Sequence, residues 1–165
     1  MYSKFSMTIA ALLLSASTSV AATFSLPGTN AIATIDIPDS WQPTQVDGNV
    51  EGLSPDGKVY ANAKIVQGKD VADAADAGGK WFESKGVKFD ESSYISKDFE
   101  SNGMKGFNIS VLGTDNIGKT QVSMSFFQTK NPEEFVMVSI WGDESLVGQN
   151  LTDVNAIGAS VKPAN

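Results

Sequence analysis

Residues 113–120, GTDNIGKT, satisfy the pattern G-x-x-x-x-G-K-[ST] at every constrained position. In that pattern backbone amides, a lysine and a hydroxyl hold the phosphates and magnesium of a nucleotide. The loop works only between a buried parallel strand and a helix whose N-terminal amides face the anion. Here FNISVLG precedes the motif's tip and TQVSMSFFQ follows Lys119, and both alternate with a period of two. Gly113 to Gly118 is therefore expected at the tip of a hairpin, with Asp115, Asn116 and Gly118 supplying turn conformations. No nucleotide is expected to bind.

Three other constellations have chemical meaning. DFESNG, Asp98 to Gly103, imitates the start of a calcium loop through Asp98, Glu100 and Asn102, with glycine sixth. Position twelve, which should carry a bidentate acid, is Ile109, so a polar hairpin turn is expected with at most a weak calcium contact. The pairs Glu133-Glu134 and Asp143-Glu144 bracket one strand-like run. They would serve a glycosidase only if two carboxyls faced each other about 5 to 9 Å apart; adjacent acids in turns are expected to be solvated. Trp41, Trp81 and Trp141 are candidates for a binding rim that stacks on sugars or aromatic ligands. Their positions after a strand, on a helix and at a strand end favour core or sheet-covering roles. Trp41, in a turn, is the best placed of the three for the rim of a cleft.

Composition removes much of the catalytic vocabulary. The chain has no histidine and no cysteine, and all 12 basic residues are lysine against 19 acids, for a net charge of −7. Without His or Cys there is no Ser-His-Asp triad, no thiolate nucleophile and no ordinary zinc site. No serine-lysine motif stands out to replace them. An acidic chain lacking arginine is poorly matched to phosphate backbones, so no nucleic-acid partner is expected. Neither is a cofactor.

The N-terminus carries Lys4, then the apolar MTIAALLL, then the small-residue SASTSVAA. That order is a secretory signal peptide. The small residues Val20 and Ala22 place cleavage after Ala22, with Ala21 nearly as good. The apolar run is shorter than the roughly 20 residues a membrane helix needs, and the missing cysteine closes the route to a lipoprotein. We therefore expect residues 1–22 to be a leader and residues 23–165 one domain, periplasmic or secreted and not membrane-anchored.

The elements follow from periodicity. AIATIDIPDSW begins as a strand ended by Pro38, and NVEGLSPDGKVYANAKIVQ reads as a hairpin about Ser54-Pro55-Asp56-Gly57. DVADAADAGGKWFESKG changes to helical spacing, with Val71, Ala74, Ala75, Gly78 and Phe82 on one face, Asp70 as cap and Gly86 as stop. Gly78 in mid-helix suggests close approach to a sheet. Four alternating runs follow, SYISKDF, KGFNISVLG, KTQVSMSFF and EFVMVSIW, the last apolar on both faces as in a covered central strand. LTDVNAIGASVKP closes the chain as an amphipathic helix with Leu151, Val154, Ile157 and Val161 inward. The expected fold is α+β: a largely antiparallel β-sheet built as hairpin, helix, four-strand meander and C-terminal helix, with the helices packed on the sheet.

IDIPDSW, Ile35 to Trp41, resembles the strand-proline-turn-tryptophan opening of PsbP-like domains, with Ser40 where that opening commonly has glycine. AIGASVKP, Ala156 to Pro163, is similar to their closing phrase. The order of elements between them matches over nearly the whole mature chain. This fold is shared by the PsbP subunit of photosystem II, a Ran-binding release factor and small bacterial envelope proteins. The resemblance implies a non-enzymatic accessory or binding domain, and carries no catalytic residues with it.

Three functions then compete. The leading expectation is an exported protein-interaction domain of the bacterial cell envelope, contacting an envelope protein through one sheet face or a cleft near Trp41. The alternatives are a periplasmic small-ligand binder with a pocket between the first helix and the sheet, and a carboxylate-based hydrolase.

Overall fold

The computed structural model describes residues 20–164. The expected leader lies almost wholly outside them; Ala21 and Ala22 are the first residues of strand β1 (Ala21–Leu26), which pairs with β2 (Ala33–Pro38). A single 3-10 turn, Asp39–Trp41, leads to β3 (Thr44–Val46), β4 (Asn49–Leu53) and β5 (Val59–Gln67). Helix α1 (Val71–Ser84) follows, then β6 (Lys88–Phe89), β7 (Ile95–Ser101), β8 (Met104–Thr114), β9 (Lys119–Gln128) and β10 (Glu134–Asp143). The chain closes with α2 (Glu144–Gln149), α3 (Leu151–Ser160) and β11 (Lys162–Pro163).

These elements form an antiparallel eight-stranded sheet in the order β3-β4-β5-β10-β9-β8, with β6 and β7 sharing the outer edge of β8. A second sheet, β1-β2-β11, stacks on one face of the first. Strand β10 is central, hydrogen-bonded to β5 and β9 along its length. It is apolar on both faces because both are covered. Val136, Val138 and Ile140 join Ile35, Ile37, Trp41 and Ile157 in a core beneath the small sheet and α3. Phe135 and Met137 join Phe82, Met124 and Phe126 in a second core beneath α1.

Helix α1 behaves as its sequence predicts. The Asp70 carboxylate accepts a hydrogen bond from the Asp73 amide, satisfying one of the otherwise unpaired donors of the first turn. Gly86, at φ +91°, ends the helix in the left-handed region. Ala74, Gly78 and Phe82 are buried. A methyl at Gly78 would stand 3.0 Å from the Met124 sulfur and 3.1 Å from that of Met137, so the missing side chain is what lets helix meet sheet.

Four features depart from the sequence expectation. There are two sheets, not one, because β2 pairs with β1, at the expected leader boundary, and with β11 instead of joining the meander. The closing helix stops at Ser160, and Lys162-Pro163 turn back to pair with Thr34 and Ala33 of β2. Leu151, expected inward, is 51% exposed. It follows α2, a short helix that the sequence reading missed and that Asp143 caps through the Ser145 amide. α2 supplies Val147 to the core in place of Leu151.

Candidate functional site

The P-loop pattern is a hairpin tip. β8 ends at Thr114 and β9 starts at Lys119, and these two residues face each other across the ladder. Asp115 organises the turn between them. Its Oδ1 accepts from the amides of Ile117 (2.8 Å) and Gly118 (3.1 Å), while Oδ2 accepts from the Trp141 indole N–H at 3.2 Å. The amides that a phosphate would need are thus occupied by a carboxylate. Thr120, the residue that should hold magnesium, is buried, and its hydroxyl donates to the Gly142 carbonyl at 2.8 Å.

That staple has a consequence at the surface. With Asp115 tied to both the turn and Trp141, Ile117 is held outward and is 89% exposed. Across the sheet, Leu53 at the end of β4 is 50% exposed and pairs with Tyr60 of β5. Leu53, Tyr60, Ile117, Trp141 and Leu146 line one groove of about 290 Å³, with Lys58, Lys119, Asp115 and Asp143 at its edge. Tyr60 and Trp141 meet edge to face with ring centroids 6.5 Å apart, a favoured geometry for aromatic pairs.

The polar groups of the groove are anchored. The Tyr60 hydroxyl donates to Glu51 Oε2 at 2.6 Å. Partial burial, then that hydrogen bond and the negative charge of Glu51, push the phenol above its ordinary value. Hydrogen bonds from the Ser145 hydroxyl and amide hold the Asp143 carboxyl below the usual carboxylate range. Asp56, in the β4–β5 turn, is lowered likewise, first by the Ser54 hydroxyl and then by the Lys58 amide.

The three tryptophans do not form one rim. Trp41 is fully buried on the small-sheet side, where its indole N–H donates to Asp153 Oδ2 of α3 at 3.0 Å, so its side chain offers no surface for stacking. The turn after β2 folds the ring inward because the second sheet needs a large residue to fill the space against α3. Trp81 and Trp141 are half-buried on the α1 side, both against Phe82, with centroids 4.8 and 5.9 Å from it. Lys64 and Lys85 lie over the Trp81 ring at 5.0 and 5.5 Å, and desolvation lowers the Lys64 pKa. Of the three, only Trp141 lines the groove.

The remaining candidates separate. Asp98 and Glu100 lie on β7 opposite Phe107 and Lys105, whereas Asn102 occupies the β7–β8 turn at φ +51°. Its amide donates to the carbonyls of Ala159 (2.8 Å) and Val161 (2.7 Å), so it fastens the hairpin to the end of α3 and is not turned toward a cation. Among the described residues no group of three acids is placed to hold a metal. Glu133-Glu134 and Asp143-Glu144 lie at opposite ends of the ten-residue β10. At about 3.3 Å per residue they are roughly 30 Å apart, far beyond the spacing at which two carboxyls could flank one sugar. The centre of the interface of α1 with the sheet is filled by Met124, Met137, Phe126 and Phe82, and open space between them lies at the margins: a cavity of about 320 Å³ at the start of the helix beside Val71, Phe107 and Phe135, and one of about 250 Å³ beside Ala75, Gly79, Phe89 and Tyr94. A further cavity, about 560 Å³, opens beside Ile32, Met104 and Gln128.

Leu53, Tyr60 and Ile117 went unrecognised from sequence. Ile117 did carry a signal, as a large aliphatic residue inside the polar turn TDNIG.

This architecture, a covered central strand with a second sheet on one face and one helix on the other, is that of PsbP and Mog1. The solution structure of the cyanobacterial PsbP, CyanoP, from Synechocystis superposes with TM-score 0.58 at 12% identity, over 91% of this chain and 96% of that one. The Ran-binding protein Mog1p of Saccharomyces cerevisiae gives 0.56 at 10%, over 87% and 95%. LpqN of Mycobacterium tuberculosis, involved in cell envelope biogenesis, gives 0.56 at 10%, over 88% and 92%. No protein-family profile matches the sequence, and no curated protein matches it. At these identities the likeness is one of fold.

Proposed function

We propose that this chain is an exported, non-catalytic interaction domain of the bacterial cell envelope that engages a protein partner through the Leu53–Ile117–Trp141 groove. The observation that carries the reading is Ile117. An almost fully exposed aliphatic side chain beside a half-exposed Leu53 and two aromatic rings is apolar surface that the monomer leaves in water. Apolar clusters rimmed by charge are characteristic of contact surfaces, and Trp and Tyr are over-represented among the residues that dominate binding. Export is supported by the charged, apolar and small-residue order of the N-terminus. A role without catalysis is supported by the lack of histidine and cysteine and by the dispersal of the acids along β10. A domain of LpqN's fold at work in the envelope is a precedent for such a role.

The test places a photo-crosslinking amino acid at Ile117, and in a control at Asp76 on the solvent face of α1, in cells expressing the full chain. A discrete adduct formed from position 117 and not from 76, and lost on adding Leu53→Asp, is the expected result. Equal or absent crosslinking at the two positions refutes it. Fractionation of the same cells reads the compartment, and a cytoplasmic protein would end the envelope assignment.

A further inference from the structure

We infer that Asn102 is a site of spontaneous deamidation that acts as a one-way release: once its side-chain amide has become a carboxylate, the β7–β8 hairpin no longer holds the end of α3. A helix leaves its last carbonyls without partners inside the helix. The last turn of α3 has no basic residue to meet them. Asn102 meets them from a different part of the chain, bonding one amide to the Ala159 carbonyl and to that of the C-cap, Val161. The same contact ties together two walls of the cavity of about 560 Å³, Gly103 and Met104 on the hairpin and Pro163 and Ala164 beyond the helix.

The next residue makes this amide vulnerable. Asn102 is the one asparagine of the chain that a glycine follows. The two occupy an exposed turn, Asn102 at φ +51° and Gly103 at φ +76°. A side chain on the following residue shields its backbone nitrogen from attack. Glycine has none, and even a methyl added at Gly103 would have nothing within 4 Å. The Gly103 nitrogen gives up its proton and bonds to Asn102 Cγ, the bond from Cγ to the side-chain nitrogen breaks, and ammonia leaves with that proton. Water then opens either carbonyl of the five-membered imide, giving aspartate or its isomer with an extra methylene in the main chain. Water is the only co-reactant. While the amide is bonded to both carbonyls its nitrogen is held on α3, so ring closure proceeds from the released state. The product does not dock again. A carboxylate accepts and cannot donate, and here it would face two carbonyl oxygens at the negative end of a helix.

To test this, the folded wild-type protein is aged at mildly alkaline pH, and peptide mass mapping follows the conversion of each asparagine to acid. Asn49 and Asn116 are the internal references, because they are also exposed but precede the β-branched Val50 and Ile117. Conversion at Asn102 should run roughly tenfold faster than at either, since a branched side chain crowds the nitrogen that must attack. Equal or slower conversion at Asn102 overturns the inference. Ion exchange then separates the converted protein from the unconverted, and urea titration compares the two. The converted fraction should unfold at a lower urea concentration than fresh protein, and no higher than Asn102→Gly, which lacks both bonds without adding a charge. The urea midpoint of Asn102→Gly should not change when that variant is aged in the same way. A converted fraction as stable as fresh protein shows that the carboxylate still holds hairpin and helix together, and overturns the release. An equal loss of stability in aged Asn102→Gly places the damage elsewhere and overturns it too.

Discussion

The two adjacent glycines of α1 make a controlled experiment on the close approach of helix and sheet. Gly78 faces the sheet, where an added methyl would meet the sulfurs of Met124 and Met137 at 3.0 and 3.1 Å and Phe126 Cζ at 3.5 Å. Gly79, one residue on, has nothing within 4 Å of an added methyl. Both positions would gain the same helix propensity on replacement by alanine, about 1 kcal/mol. At Gly79 nothing opposes that gain, so Gly79→Ala should stabilise by about 1 kcal/mol and raise Tm by roughly 3 to 4 °C for a domain of this size. At Gly78 the two thioethers must move by a few tenths of an ångström. Overpacking costs of about 1 to 3 kcal/mol then cancel or exceed the gain. Gly78→Ala should thus lie at least 1 kcal/mol below Gly79→Ala, and Gly78→Val, with two further methyl groups, should lie well below both. Thermal melts by circular dichroism and urea titrations of the three variants measure this. If Gly78→Ala stabilises as much as Gly79→Ala, the sulfurs yield freely and the contact is not what dictates glycine there.

Other outcomes follow from single residues. Trp41→Ala should cost about 3 to 5 kcal/mol in urea unfolding, whereas Trp41→Phe should retain most of the packing and lose mainly the bond to Asp153. Asn102→Ala should destabilise by roughly 1 to 2 kcal/mol and Asn102→Gly by about half as much, because glycine relieves the φ of +51° but not the lost bonds to Ala159 and Val161. Tyr60, whose pKa is raised in the folded state, gives the folded protein an advantage that is complete below pH 10. This advantage is lost as the pH climbs from there toward the folded value, so alkaline denaturation should be shallower in Tyr60→Phe than in the wild type. Magnesium-ATP should leave the Tm unchanged, since Asp115 and Thr120 already occupy the would-be phosphate and metal positions; a rise of several degrees would refute the hairpin assignment.

Elements with strong local periodicity were legible in the sequence. β7 to β10 announced themselves by alternation, and β10 by being apolar on both faces, because a central strand has no polar side to show. Helix α1 carried its cap, its stop and its close-contact glycine in plain view. What failed were features decided by distant partners. β11 is two residues long and exists only because Thr34 and Ala33 receive it. Trp41 is buried by a second sheet that no local pattern declares, and Leu151 is displaced outward because α2 delivers Val147 first. The groove is the same kind of case. Leu53, Ile117 and Trp141 sit on β4, in the β8–β9 turn and at the end of β10, and only the strand order brings them together.

That strand order also explains why the open surface falls where it does. α1 covers the sheet over β9 and the middle of β10, reaching Met124, Phe126 and Met137. On the same face, β5 presents Tyr60, Asn62 and Lys64, of which Lys64 reaches Trp81 of the helix, and β4, one strand further out, presents Glu51 and Leu53. A sheet seven strands wide cannot be shielded on one face by a single helix about 10 Å across when strands are spaced about 4.8 Å apart. The uncovered strands must therefore be polar, self-satisfied or covered by something else. Asn62 and Ser139 are buried and bonded to the backbone, and Tyr60 is bonded to Glu51, which settles the middle of this area without outside help. At the Leu53–Ile117 end, large apolar side chains face water beside the Tyr60–Trp141 pair. Replacing Ile117 with Asp should leave stability unchanged within about 0.5 kcal/mol, as for other surface sites, while abolishing any partner's grip. A large loss of stability instead would mean that Ile117 packs against its own chain, and the groove would then be part of the core.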